Sequence, residues 1–450
     1  MRRLKASSAR WPLMHSHDFV PLGDLCDPSR GITYGIVKVG DFISDGVPVI
    51  RGGDIRAGKI VFDDNKRVSK EVSDEFARTI LRGGEILINL ISEPGHTAIV
   101  PLEMAGFNIS RDVALIPLSK SVDHRYVDYY LKSRVSVDWL SSRLQGSVTQ
   151  KINLGVLREL PVPIPPLPQQ RAIADALVAF DEKIDLNQRM NETLEAMGDA
   201  IFRDWFVDFG PVRRKLAGAA GPIEIMGGLA QDADQAAKLS ALFPSAIDGE
   251  GTPEGWKASN LGAAAEAVGE SVAPSAIRPE TPYIGLEHMP RRSIALDTWE
   301  TAAKVSSQKA RFRQGQILFG KLRPYFHKVG IAPTDGVCST DIVVLDSRKS
   351  FDRALVASCV SSNAFVAFTN QASTGTKMPR TSWGQMKSYG LTIADEPVRK
   401  AFAEIVSPLH AKIISSILEN RTLAETRDYL LPRLMSGEVR VGDAAQEIAA

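Results

Sequence analysis

Two stretches of this chain repeat each other about 229 residues apart, far too long a period for a solenoid unit. Pro168 leads into an apolar-periodic segment holding Lys183, Ile184, Asn191, Thr193 and Leu194; Pro397 leads into one holding Lys412, Ile413, Asn420, Thr422 and Leu423. The repeating unit is a whole domain plus a helix. A chain built this way has a pseudo-twofold plan, which suits a two-sided partner such as double-stranded DNA.

The helical part of each repeat carries a seam. Ile173, Leu177, Phe180, Ile184, Asn187, Asn191, Leu194, Gly198, Ile201 and Trp205 follow a 4-3 spacing, the heptad signature of a coiled coil. In the second repeat the seam is Phe402, Val406, Leu409, Ile413, Ser416, Asn420, Leu423, Arg427, Leu430 and Leu434. Both are apolar at the ends and polar in the middle. Asn187, Asn191, Ser416 and Asn420 are therefore expected to face one another in an antiparallel pair and to set its register. Each helix of about 38 residues would span about 57 Å. Two separate amphipathic helices, each packed on its own domain, are the competing reading.

The remainder of each repeat reads as α+β. Short apolar runs (Val47–Ile50, Glu85–Ile91, Val113–Pro117; Tyr283–Leu286, Gln316–Phe319, Ile342–Leu345) are set off by Gly, Pro, Asn and Asp and predict strands. Val122–Leu144 and Asp352–Thr369 predict helices. The proline-rich stretch from Pro161 to Pro168 reads as a stiff stem between globule and rod. The plan is a globular copy over 15–168, a rod helix over 169–209, a connector of little periodicity over 210–250, a second globular copy over 251–396 and a second rod helix over 397–437.

At 450 residues the chain can build two or three cored domains. No run approaches the roughly 18 apolar residues of a membrane span, and the start, with His15 and His17, has no apolar signal region. Three scattered cysteines, Cys26, Cys338 and Cys359, fit a reducing cytoplasm. Net charge is only +1, but its distribution is uneven. Residues 291–328 hold 9 basic and 2 acidic side chains, the footprint expected of phosphate contacts, although a solvated surface would read the same way. Residues 15–168 hold 18 basic and 19 acidic.

Catalytic signatures do not emerge. The sequence has no P-loop, no dinucleotide fingerprint, no Cys/His spacing of a metal site and no helix-turn-helix. Asp181, Glu182 and Lys183 fit the tail of a nuclease motif only formally and are better explained as rod residues. If the chain reads DNA, loops and strands of the globular copies do it. The candidate DNA-binding residues are Lys321, Arg323, Tyr325 and Lys328; then Gln150, Lys151, Lys377 and Arg380 near the end of each copy; then Arg51, Lys59, Lys66 and Arg67. Each could equally be a basic surface residue. Trp205, Phe206 and Phe209 are candidates for docking a partner, or else pack on the rod.

The run Pro166-Leu167-Pro168-Gln169-Gln170-Arg171, with Asp181 to Ile184, Asn191 to Met197 and Trp205 to Phe209, resembles the central region of type I restriction–modification DNA-specificity subunits. Gly146 to Ile152, Leu318 to Tyr325, Ser339 to Asp341 and Pro432 to Glu438 also resemble that family, in its order. The chain departs from the family in the charge of the first copy and in having Gly390 to Glu396 where a proline-rich stem is usual. The resemblance implies two target-recognition domains joined by an antiparallel intramolecular coiled coil, each reading one half of a split DNA target; because the two copies differ in sequence at nearly every loop, the half-sites are expected to differ. It implies two methyltransferase subunits and restriction subunits as partners, which bring S-adenosylmethionine, ATP and Mg; this chain would bind no cofactor or metal and catalyse nothing. A coiled-coil scaffold with two protein-binding arms is the alternative.

Overall fold

The computed structural model describes residues 18–62, 66–146, 150–375 and 377–443. The chain divides into two compact units. One comprises the first globular copy, the start of the first long helix and the end of the second, with its boundaries at Glu182 and Leu423. The other runs from Lys183 to Thr422 and holds the second globular copy with the remaining parts of both helices.

In the first unit a short strand pair closes the globule. Phe19–Pro21 runs antiparallel to Pro161–Pro163, with Phe19 opposite Pro163. Two of the three residues in Pro161–Pro163 are prolines and lack an N–H, so this pairing suits a two-stranded edge. A four-stranded antiparallel sheet follows in the order Thr33–Tyr34, Val113–Ile116, Ile86–Asn89, Thr97–Ile99. The two central strands are buried at every position, which explains why all of their residues but Asn89 are apolar. A three-stranded sheet of Arg67–Val68, Val47–Ile50 and Asn108–Ile109 stands beside it.

The second unit repeats this plan. Lys257–Asn260 pairs with Gly390–Ile393, so the segment without prolines does the same work as the proline-rich stem. The four-stranded sheet orders Ala265–Ala267, Ile342–Ser347, Ile317–Gly320, Val329–Ile331. A five-stranded sheet replaces the three-stranded one. A reciprocal exchange of size records the common ancestry. In the first copy a Cβ on Gly52 would lie 2.4 Å from Asn89 Oδ1; in the second, Leu286 stands near Gly320, where a Cβ would lie 2.9 Å from its Cδ2. In the first copy Asn89, at the end of strand Ile86–Asn89, fills the space; in the second it is Leu286, which follows strand Pro282–Ile284.

The predicted helices Val122–Leu144 and Asp352–Thr369 are each broken in two. His124–Lys132 is followed by Arg134–Ser141, and Arg353–Ser361 by Asn363–Gln371. The cause is a serine, Ser133 or Ser362, in extended conformation, whose hydroxyl accepts the N–H of Ser136 or Phe365 and so starts a new helix.

The first rod helix is Leu167–Phe202 and the second is Glu396–Ser436. In the first unit Ile173, Ala174 and Leu177 share a core with Leu430, Leu431, Leu434 and Met435. In the second, Ile201 and Phe202 share one with Phe402, Val406, Ile413 and Ile417. Within each unit the pairing is antiparallel; the buried residues include seam positions such as Ile173, Leu177, Phe402 and Ile413 and also their neighbours Ala174, Phe202, Ile417, Leu431 and Met435. Glu396–Ser436 is long and apolar enough by length and composition to cross a membrane, although it holds no unbroken apolar run of about 18 residues. Phe402, Val406, Ile413, Ile417, Leu430 and Leu434 fill the two cores, while Leu418 and Tyr429 are exposed.

The connector is not irregular. Gly210–Leu216, Pro222–Ile225 and Ala233–Ala241 are helical, and Val212, Met226 and Phe243 enter the core of the second unit. Their small, Gly-interrupted helices are too short to show a period in sequence. The first rod helix ends in a π-helical turn, Arg203–Val207, capped by Asp208, and Phe209 at φ 51° starts the next helix, Gly210–Leu216. This turn aims Trp205 and Phe206 inward. Trp205 packs edge-on to Phe243 at 4.9 Å, and Phe206 edge-on to Phe402 at 5.0 Å.

Candidate nucleic-acid interface

The two copies present the same three-part loop cluster. In the second copy the chain leaves strand Ile317–Gly320, and Lys321 N–H donates to the Asp341 carbonyl (2.9 Å). Leu322 bridges Arg380, and Arg380 and Thr374 exchange backbone hydrogen bonds of 3.0 Å that close a loop. In the first copy Leu90 N–H donates to the Asp112 carbonyl (2.8 Å). Ile91 bridges Lys151, and Lys151 and Gln145 close the matching loop at 2.9 and 3.0 Å. Residues 147–149, within this loop, lie outside the described residues. Ser92 and Arg323 take left-handed conformations at corresponding places, φ 71° and 51°. Local turn geometry thus survives where side chains have diverged.

Lys151 and Arg380 occupy the same station in their copies, and both are exposed. Gln150 and Lys377 are exposed on the same loops. The Arg380 guanidinium reaches Asp341 Oδ1 at 2.5 Å, which orients its fork without burying it. In the first copy Asp112 is engaged differently, accepting from Gly52 N–H (3.0 Å) and from the Ser110 hydroxyl. Arg323 N–H donates to the Pro379 carbonyl at 2.7 Å, tying its turn to the Arg380 loop. Its Nε is buried without a hydrogen-bond partner. Tyr325 is 48% exposed, and its ring lies 4.7 Å from that of Phe326, over which Arg291 stacks at 4.3 Å.

Several sequence candidates are not placed to read a ligand. Lys328 turns inward and donates to the Leu286 carbonyl, and burial lowers its pKa below that of an ordinary lysine. Lys66 pairs with the buried carboxylate of Asp54 at 2.7 Å, and Arg67 donates to the Gly46 carbonyl at 3.0 Å. Lys309, within the basic run, is buried against Ser307. Arg51 and Lys59 are exposed. The basic stripe is therefore only partly a surface feature.

The aromatic docking site is corrected as well. Trp205 is 0% and Phe206 4% exposed, and Phe209 is half-buried with its ring edge-on to Trp256 at 5.7 Å. They build the junction of rod, connector and second copy, leaving no face of Trp205 or Phe206 for a partner.

Sequence reasoning missed the polar ties between each globule and the rod. In the first unit Asp181 takes hydrogen bonds from the Tyr129 hydroxyl and from Arg427, both at 2.5 Å. Arg125 pairs with Asp175 at 2.7 Å. In the second, Arg399 makes a buried pair with Asp352. At the matching place in the first unit, Gln170 Oε1 accepts from Asp123 N–H at 2.9 Å. The duplication offset relates only Gln170 to Arg399 and Asp123 to Asp352. Among the described residues no group of three or more His, Cys, Asp or Glu is placed to hold a metal.

Two α+β heads of common plan, each presenting a cationic loop at the same station and each tied to a piece of the same helix pair, define a two-headed recognition subunit. The sequence model of the type I restriction modification DNA specificity domain matches residues 16–196. The chain is 22% identical over 436 residues to the MjaIX type I restriction enzyme specificity subunit of Methanocaldococcus jannaschii, covering 94% of each. It is 30% identical over 168 residues to the EcoBI specificity subunit of Escherichia coli, covering 36% of this chain and 35% of that one. The fold matches that of a type I restriction–modification S subunit from M. genitalium with TM-score 0.51 and 14% identity, over 93% of this chain and 96% of that one. Along almost its whole length the chain is thus similar to type I restriction–modification specificity subunits.

Proposed function

We propose that this subunit supplies the address of a type I restriction–modification enzyme and none of its chemistry. Each globular copy binds one half of a bipartite, asymmetric double-stranded DNA target. Two methyltransferase subunits and the restriction subunits assemble on it, and S-adenosylmethionine, ATP and Mg reside on them. The complex works in the cytoplasm.

The observation that carries this reading is the station shared by Lys151 and Arg380. Two homologous loops place a cation at one position of the fold, with different neighbours, Asp112 on Gly52 in one copy and Asp341 on Arg380 in the other. Equivalent backbone placement with divergent side chains is what two readers of different half-sites require. Arginine suits guanine edges, and lysine suits phosphate or guanine. Lys321, Arg323, Tyr325, Lys377 and Gln150 complete the candidate surface, with Arg51 and Lys59 more peripheral; Lys328, Lys66 and Arg67 drop out. A scaffold with two protein-binding arms would not call for a matched cation in each arm.

Fluorescence anisotropy with a target duplex tests this. Arg380→Ala and Arg323→Ala should each weaken binding, by roughly 1–3 kcal/mol for a base contact. An unchanged affinity and salt slope in both would count against the interface.

A further inference from the structure

The second recognition domain is clamped to the helices by contacts that the duplication does not explain. Glu195, on the first rod helix, is half-buried and takes three hydrogen bonds from one turn of the domain. The Ser293 hydroxyl donates to Oε1 at 2.7 Å, the Ala295 N–H to Oε1 at 3.1 Å and the Ile294 N–H to Oε2 at 3.0 Å. A few residues on, Trp299 receives the guanidinium of Arg421, from the second rod helix, at 4.3 Å. The short segment from Ser293 to Trp299 is thus held by both helices at once. The residue matching Glu195 in the second rod helix is Ala424, which has no carboxylate to offer.

The clamp lies far from where the domain is covalently joined to the second helix. Asn187 meets Asn420, so eight residues further along Glu195 stands level with Lys412. At 1.5 Å per residue that is about 24 Å from the stem at Glu396. A domain fixed only at its stem can swing; one also gripped about 24 Å away cannot.

From this we infer that Glu195 is a positioning residue, which holds the second recognition domain at a fixed angle on the helix pair and so enforces a single spacer length between the half-sites. The inference rests on the bipartite reading above. Each extra base pair displaces a half-site by about 3.4 Å and turns it by about 35°. A clamped domain cannot follow that movement, whereas a released one follows it at some loss of affinity. Arg421 on Trp299 acts with Glu195 as the second grip.

The test is methylome sequencing of cells carrying the complete system with wild-type chain, Glu195→Ala, Glu195→Gln or Trp299→Ala. Wild type should methylate one spacer length. Glu195→Ala should keep both half-site sequences and methylate sites one base pair longer or shorter at least about tenfold above the wild-type level. Glu195→Gln retains an acceptor for part of the turn and should fall between the two. Trp299→Ala should loosen the spacer without touching Glu195, and carries the test if Glu195→Ala does not accumulate. Loss of amide protection at Ile294 and Ala295 in Glu195→Ala, by hydrogen exchange, should accompany the change. An unaltered spacer distribution in Glu195→Ala and Trp299→Ala, with that protection lost, overturns the inference. A wild-type methylome without a bipartite motif overturns the functional reading on which it stands.

Discussion

Asn187 Nδ2 donates to Asn420 Oδ1 at 2.8 Å across the two rod helices, with Glu419 Oε2 accepting from the same amide at 2.9 Å. Lys183 completes the layer, donating to Asn187 Oδ1 at 3.1 Å and pairing with Glu419 at 3.3 Å. These hydrogen bonds, from Asn187 first, keep the Glu419 carboxyl below the usual carboxylate range. The register places Asn191 level with Ser416 four residues further on. By the duplication offset, Ser416 is the counterpart of Asn187 and Asn420 that of Asn191. The two layers are therefore mates, yet Asn191 Oδ1 and Ser416 Oγ have no hydrogen-bond partner.

The two layers should respond oppositely to mutation. Asn187→Ala strips Asn420 and Glu419 of a donor and should destabilise the chain by about 1–3 kcal/mol. Ser416→Ala removes a buried hydroxyl that makes no bond and should be neutral or stabilising by up to about 1 kcal/mol. Urea unfolding of the full chain measures both; equal losses would show that the layers are equivalent.

Trp205→Ala should cost about 3–5 kcal/mol, because it empties the aromatic junction among Phe243, Phe206 and Phe402. Thermal unfolding checks this. A stable variant that fails only to assemble with its partners would return Trp205 to the docking role.

The three cysteines should resist modification. Burial pushes the thiols of Cys26, Cys338 and Cys359 each up to about 12, and none is in a disulfide. Ellman's reagent at pH 8 should titrate none of them promptly in the native chain and all three after denaturation.

Acid should weaken the chain partly through His410. Burial holds its pKa down to about 4 in the folded state, against about 6.5 when unfolded. The unfolded chain therefore takes up the proton first, and this contribution is lost as pH falls from about 6.5 towards 4. Between pH 7 and pH 5 the loss is about 2 kcal/mol. Glu195 and Asp352, both raised chiefly by burial, work in the opposite direction, so the readout is the difference between wild type and His410→Gln. Identical pH profiles would remove His410 from the account.

What could be read in advance depended on how local the determinant was. The seams were legible because one residue in every turn or so must be apolar, and Ile173, Leu177, Ile413 and Leu430 are buried where the spacing put them. The central strands were legible because both of their faces are covered. Lys328 was not, since nothing in its neighbours signals that it folds back to the Leu286 carbonyl. Nor was Trp205: an aromatic at a helix end looks the same in sequence whether it greets a partner or its own connector. Glu195 looks like any solvent-facing rod residue until Ser293, almost a hundred positions away, is brought to it.

The central claim is that one chain holds two different halves of one DNA address. Methylome sequencing of cells carrying wild type, Lys151→Ala and Arg380→Ala tests it most directly. Wild type should show a split adenine-methylation motif, with Lys151→Ala relaxing or losing one half and Arg380→Ala the other. A single contiguous motif, or two variants that alter the same half, would contradict it.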